Sequence, residues 1–263
     1  MKGNLLKIIW AGIAILLLSL HKYNPVQTVI TDLKEMHLAG NVKSMTEIIY
    51  KPLVVESGDQ GKNVRQETIC HFNRDGNITD ESFFTEWGDP VRTMDSVFFD
   101  EQGRRAFRLT YNSKNELIRK TGFVCNNEAA ITERLASKPD GSFAYKKIYT
   151  YDERGNLKSI TDYSKSGDES GKTTYSYKYD PQGYILERKV TYLPDTSVYR
   201  TTYQVDNRGN SIVQQDYHPS GKLVKSQTME YDYDAAGNWI RRRVKFKVGG
   251  TGIIRAERKI QYY

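Results

Sequence analysis

Histidine and cysteine are scarce in this chain of 263 residues, with four of the first and two of the second. That scarcity bears first on metal binding and on nucleophilic catalysis. His21 abuts an apolar leader, His37 falls in a helix-like stretch and His218 occupies a turn slot, so none of the three sits in a ligand or triad pattern. His71 follows Cys70 directly, and adjacent residues of a strand point to opposite faces, which keeps that pair from sharing a ligand or a proton. Calcium demands several oxygens from one loop, whereas each turn here offers one or two carboxylates. No cofactor and no metal are expected, and the chain reads as a non-enzymatic protein. A hydrolase of envelope polymers is the alternative, and it would need two carboxylates about 5 to 9.5 Å apart.

Long hydrophobic runs are missing too, after the first twenty residues. The run Ile8 to Leu20 follows Lys2 and Lys7 and is about thirteen residues long, short for a membrane span and right for a secretory signal. No small-x-small cleavage site precedes His21, so an uncleaved anchor stays open, and no cysteine follows the run, which excludes lipoprotein attachment there. Residues 1–22 are therefore read as a signal peptide or N-terminal anchor, 23–40 as a short amphipathic helix or linker, and 41–263 as one β domain. The localisation expected is export to the cell envelope or beyond it.

In the second segment Asn24 suits a helix cap, Pro25 the first helical position and Gln27 the partner in a capping box. Val26, Val29, Ile30, Leu33 and Met36 fall on one helical face, and Gly40 suits the end. The expectation is a helix over about 25–39 that caps one end of the sheet.

What the chain has in excess is tyrosine, nineteen in all, and a recurring turn. In Tyr151-Asp152-Glu153-Arg154-Gly155-Asn156-Leu157 the aspartate can accept the backbone N–H two residues on, and the glycine can take positive φ. This is a type I turn followed by a left-handed residue, a common hairpin connection. Further copies occur at Phe72-Asn73 to Ile78, Phe99-Asp100 to Gly103, Tyr179-Asp180 to Ile185, Val205-Asp206 to Asn210 and Tyr233-Asp234 to Trp239. Asn115 stands where glycine is expected in one of them. Gly155, Gly183, Gly209 and Gly237 recur every 26 to 28 residues, with weaker turns between, which leaves strands of about eight residues. The fold class is all-β: a strongly twisted antiparallel meander of repeated hairpins, about twelve to sixteen strands, open or closed into a barrel-like sheet.

The pattern resembles the YD repeats of the RHS family of bacterial secreted and surface proteins, through Tyr149-Thr150-Tyr151-Asp152, Tyr177-Lys178-Tyr179-Asp180 and Tyr231-Asp232-Tyr233-Asp234. The resemblance implies a structural or binding module of the envelope and an association with carbohydrate. No RHS self-cleavage motif or toxin domain is present, so a full shell around a cargo is not expected.

Three side-chain groups could carry function. Tyr175, Tyr177 and Tyr179 alternate along one strand, as do Tyr231 and Tyr233. They either form the core of a thin sheet with hydroxyls reaching a partner, or a platform on which sugar rings stack. The basic run places Arg241, Arg243, Lys245 and Lys247 on one face, which is either a solvated strand face or a surface for an anionic polymer. The turn aspartates Asp100, Asp152, Asp180, Asp206 and Asp234 are accounted for by their own turns. The partners expected are a carbohydrate or anionic surface polymer, or else a protein partner in a scaffold of polymorphic-toxin type. Nucleic acid is not expected, and the membrane is met only through the N-terminal segment.

A transmembrane barrel fits poorly, because the places alternating back from Tyr263 hold Gln261, Lys259 and Glu257. Cys70 and Cys125 lie about four strands apart in a meander, near 19 Å at ~4.8 Å per strand, so only closure of the sheet could pair them. Otherwise they are two small hydrophobes.

Overall fold

The computed structural model describes residues 31–54, 60–86, 91–126, 130–248 and 252–263, with the backbone alone for 51–54 and 60–64. The expected signal or anchor, and the start of the expected helix at Asn24 and Pro25, lie outside them.

Among the described residues sixteen antiparallel strands close into one barrel. They are β1 (Val42–Val54), β2 (Gln60–Phe72), β3 (Ile78–Thr85), β4 (Val91–Phe99), β5 (Arg105–Asn112), β6 (Leu117–Cys125), β7 (Ile131–Ser137) and β8 (Phe143–Tyr151). The second half continues with β9 (Leu157–Tyr163), β10 (Glu169–Tyr179), β11 (Ile185–Leu193), β12 (Val198–Val205), β13 (Ser211–Tyr217), β14 (Leu223–Tyr233), β15 (Trp239–Val248) and β16 (Ile253–Tyr262). Each strand pairs with its sequence neighbours, and β1 pairs with β16 to complete the ring. The expected meander is therefore present, and of the two forms left open it takes the closed one.

The recurring turn supplies the hairpins. Asp152 N–H bonds Asn156 O at 2.8 Å and Gly155 N–H bonds Asp152 O at 3.0 Å. The Asp152 carboxylate accepts from Arg154 N at 2.9 Å and Asn156 N at 2.8 Å, and Gly155 has φ 79°. Asn115, in the glycine slot of its own turn, has φ 62°. The left-handed residue inserts a bulge, and the register shifts beside it, as between Thr150 and Tyr151. The turns after even-numbered strands share one end of the barrel. Most of them carry the Asp or Asn signature, as at Asn73, Asp100, Asp152, Asp180, Asp206 and Asp234.

That end carries a cap. Helix α1 (Asp32–Glu35) has Thr31 as N-cap. It ends at Glu35, short of the expected end near 39, since His37 already has φ 50° and residues 36–41 run on as irregular chain into β1. Leu33 N–H bonds Gly76 O at 3.0 Å, and Asp32 accepts from Ile78 N at 2.7 Å and pairs with Arg105. At the other margin Ala39 and Asn238 exchange two hydrogen bonds of 2.7 and 2.9 Å. Leu33, Met36 and Leu38 pack on Val42, Met45, Cys70 and Phe72. This segment reaches β5 on one side and the β14–β15 turn on the other, so the face carrying Met45 and Cys70 is the interior.

Following the pairings around the ring assigns the remaining side chains. Met45 is opposite Cys70, Cys70 opposite Glu81, Glu81 opposite Asp95, and Arg108 opposite Thr121. On the other side Glu47 is opposite Arg258, and Ala256 is opposite Arg242, which is opposite Tyr231. The lumen is thus polar and aromatic. The outer face of β16 shows Arg255, Glu257, Lys259 and Gln261, all exposed. Cys70 and Cys125 are free thiols, on β2 and at the end of β6. Closure does not bring them together.

Candidate functional site in the lumen

Strands β4 to β8 line a cavity of 180 Å³ on the inner wall, bounded by Thr93, Asp95, Arg108, Thr110, Ile118, Arg119, Thr121, Phe123, Arg134 and Tyr145. Alternation puts all of these side chains but Ile118, the extra residue of a bulge, on one face. Asp95 is opposite Thr110, Thr110 opposite Arg119, and Phe123 opposite Arg134. The cavity runs from mid-barrel towards the end opposite the cap, because Thr93, Arg119 and Tyr145 belong to the parts of their strands farthest from α1.

Charge in the cavity is uneven, three arginines against one aspartate. Arg108 Nη1 meets Asp95 Oδ2 at 3.0 Å. Arg119 is exposed at the mouth, and its guanidinium lies 6.0 Å from the centre of the Tyr145 ring. Arg134 sits between the rings of Phe123 and Tyr149, at 5.8 and 5.1 Å. Such contacts hold a guanidinium plane in place without neutralising it. Asp95 Oδ1, Arg108 Nε and Arg134 Nε are buried and have no hydrogen-bond partner among the described residues. A buried polar atom left unpaired costs about 1 to 3 kcal/mol.

The cap supplies the carboxylates behind this wall. Asp32 pairs with Arg105, and burial, with Arg108 and Arg134 adding repulsion, pulls Arg105 down to about 10. Glu35 faces Arg134, and burial raises its carboxyl above the ordinary value despite that attraction. Burial also raises Glu81, which Arg108 opposes and Asp95 reinforces.

A second lumenal cluster centres on Arg258, whose Nε bonds Glu47 at 2.8 Å and whose guanidinium lies 3.6 Å from the centre of the Trp239 ring. Arg242 flanks both, 3.8 Å from Glu47 and 4.9 Å from the ring centre.

The tyrosines singled out in the sequence share the lumenal face but form no single site. Tyr177 donates to Leu157 O at 2.8 Å and Tyr231 to Ser211 O at 2.9 Å. Tyr179 donates to Asp152 at 3.0 Å and Tyr233 to Asp206 at 2.6 Å, each reaching the preceding turn. Those hydroxyls tie neighbouring hairpins together. Tyr175 is half-buried, and burial raises its hydroxyl pKa. Arg241, Arg243 and Lys245 do project outward together, but β14 meets them with carboxylates: Arg241 with Asp232 at 2.9 Å, and Arg243 and Lys245 with Glu230 at 3.4 and 2.7 Å. Lys247 is exposed beside the bulge that pairs Phe246 with Gln227 and Val248 with Ser226. Asp95, Arg108, Arg119 and Arg134 were not anticipated. Their signal was the alternation of charge within β4 to β7, which the bulge at each hairpin offsets from one strand to the next.

The chain is similar in fold to a porin-like protein from Bacteroides uniformis ATCC 8492. That likeness has a TM-score of 0.58 at 11% identity and covers 85% of this chain and 98% of the other. A porin-like protein from Bacteroides vulgatus ATCC 8482 is matched at a TM-score of 0.38 and 13% identity, over 84% and 98% of the two chains. No family model and no curated protein matches the sequence. The resemblance to RHS and YD repeats is thereby overturned, since the fold is that of a porin-like closed barrel. The physical reason lies in the motif. Asp-x-x-Gly-Asn is what a three-residue hairpin with a left-handed bulge requires, and any long meander built from such hairpins will repeat it.

Proposed function

We propose that this chain is a non-enzymatic, exported binding barrel of the bacterial cell envelope, and that its lumen takes a carbohydrate. The observation that carries this reading is the cavity between β4 and β8, where hydrogen-bonding side chains line 180 Å³ beside the Phe123 and Tyr145 rings. That is small beside the roughly 300–1,000 Å³ of drug-sized sites, and it suits a single sugar ring. The exposed charges of β16 favour an outer wall that faces water, because each Arg or Lys would cost about 2 to 4 kcal/mol against lipid at mid-bilayer.

A glycan-array screen of the chain from residue 23 onward tests the reading, with Tyr145→Ala and Tyr175→Ala as comparisons. Binding that Tyr145→Ala loses while the protein stays folded supports the cavity. Binding lost only in Tyr175→Ala would move the site to the tyrosine band, and no binding by folded protein would sink the carbohydrate reading.

A protein partner is the second reading, and one observation favours it. Phe98 and Phe107 stack on the outer wall with ring centres 4.4 Å apart, in one row with Leu135, which is 48% exposed. Association that Leu135→Lys abolishes would support this reading over the first.

A further inference from the structure

We propose that the ligand of the lumenal cavity is an acidic sugar, a single hexuronate-type ring whose carboxylate is held by Arg119 at the mouth. The inference rests on the carbohydrate reading and narrows it. A neutral sugar would not need three guanidinium groups against one carboxylate. Asp95 already accounts for Arg108 and the Glu35 carboxylate of the cap faces Arg134, whereas Arg119 has no ion pair among the described residues. Arginine is the residue whose planar fork matches a carboxylate with two parallel hydrogen bonds, and here the Arg119 fork is steadied by the Tyr145 ring.

The same wall offers what the rest of such a ring requires. Asp95 Oδ1 is a buried acceptor still short of a donor, which a sugar hydroxyl supplies. Thr110 and Thr121 add hydroxyls on the same face, and Tyr145 gives a ring at the mouth. A bare anion would use the arginines and leave Asp95 repelling it. The position fits as well, since the cavity runs away from the capped end, and the chain's formal charge of +7 draws anions towards it.

The test is isothermal titration of the protein at low salt with D-glucuronate, D-glucose and sodium sulfate, for the natural sequence and Arg119→Gln. Arg119 is exposed and without an ion pair, so the variant should fold, and its melting curve checks this. Glucuronate should bind about tenfold or more tighter than glucose, with Arg119→Gln losing at least about fivefold for glucuronate and little for glucose. Equal affinity for the two sugars, or an unchanged Arg119→Gln, overturns the acidic-sugar inference while leaving the carbohydrate reading in place. Sulfate bound as tightly as glucuronate overturns the sugar part and leaves a simple anion site. No binding of either sugar overturns both readings.

Discussion

Tyr233 donates its phenolic hydrogen to Asp206 Oδ2 at 2.6 Å, although the two residues lie 27 positions apart. Asn210 donates its amide to the same hydroxyl at 2.9 Å, and the Arg208 guanidinium covers the ring, 4.3 Å from its centre. The arrangement repeats at Tyr179 with Asp152, Asn156 and Arg154, and again at Tyr262 with Asp234 and Asn238. Each turn is therefore locked by the strand that leads to the next turn. Tyr233→Phe removes a hydrogen bond to a charged acceptor and should cost about 1 to 2 kcal/mol in urea unfolding. An unchanged midpoint would mean that the hydroxyl does no more than face solvent.

The same contact gives the acid response a direction. Burial pushes Asp206 upward, but hydrogen bonds from Tyr233, Asn210 and Arg208 outweigh it and hold the carboxyl below its ordinary value. A lowered folded pKa stabilises above the unfolded value of about 3.9, and that stability is lost as pH falls through the folded one. Tyr233→Phe should flatten the loss of stability below about pH 4, as read from unfolding midpoints across an acid series.

Glu35 has the opposite sign. Its folded pKa is raised by burial, with Arg134 opposing and Tyr151 among its titratable neighbours. Its contribution is thus full below the unfolded value of about 4.3 and is lost as pH rises through the raised folded one. Hydrogen-exchange protection of the Leu38 and Ala39 amides, which bond Leu33 O and Asn238 Oδ1, should be greater in mild acid than at neutral pH. In Glu35→Gln that difference should vanish.

Two glycines of the same turn type separate backbone from packing. Gly103 has φ 74° and open space where a Cβ would go, whereas at Gly209, φ 84°, the Cβ would stand 2.5 Å from the Tyr184 ring. Both alanine variants pay about 1 to 2 kcal/mol for the left-handed backbone, and Gly209→Ala should cost about 1 kcal/mol or more beyond that for displacing the ring. Equal melting temperatures for the two would contradict the packing described around Tyr184.

Glu47 and Arg258 form a lumenal pair whose side chains are 6% and 1% exposed. Glu47→Gln leaves Arg258 charged and buried with Nη1 and Nη2 already lacking hydrogen-bond partners among the described residues, and should cost about 3 to 5 kcal/mol. Replacing both residues by leucine or methionine should recover much of that in denaturant titrations.

The turns were legible in the sequence because their chemistry is local: Asp152, Gly155 and Asn156 specify one hairpin whatever surrounds it. Closure was not legible, since the pairing of Ser44 with Gln261 joins residues 217 apart and no local feature encodes it. The cap was anticipated as a helix from about 25 to 39 and is held mostly by irregular chain, because its fixed points are Asp32 on Arg105 and Ala39 on Asn238. The same turn chemistry misled the family reading, since it repeats wherever such hairpins do. The arginine wall escaped notice because the bulge beside each turn, such as that between Thr110 and Tyr111, offsets the alternation. Facing residues can then be assigned only once the register is known.

The seam between β1 and β16 sets the order in which the chain can assemble. Fifteen of the sixteen interfaces join sequence neighbours and need only short loops to form, while the sixteenth carries nearly all of the loop-closure entropy. Until it forms, the molecule is an open sheet with two bare edges, each a template for another chain. Tyr262 and Tyr263 lie at this interface, the first bonded to the β14–β15 turn and the second to Phe72 O on β2. Their contacts span the seam on both sides, so the step that completes the ring is also the one that withdraws the edges from aggregation.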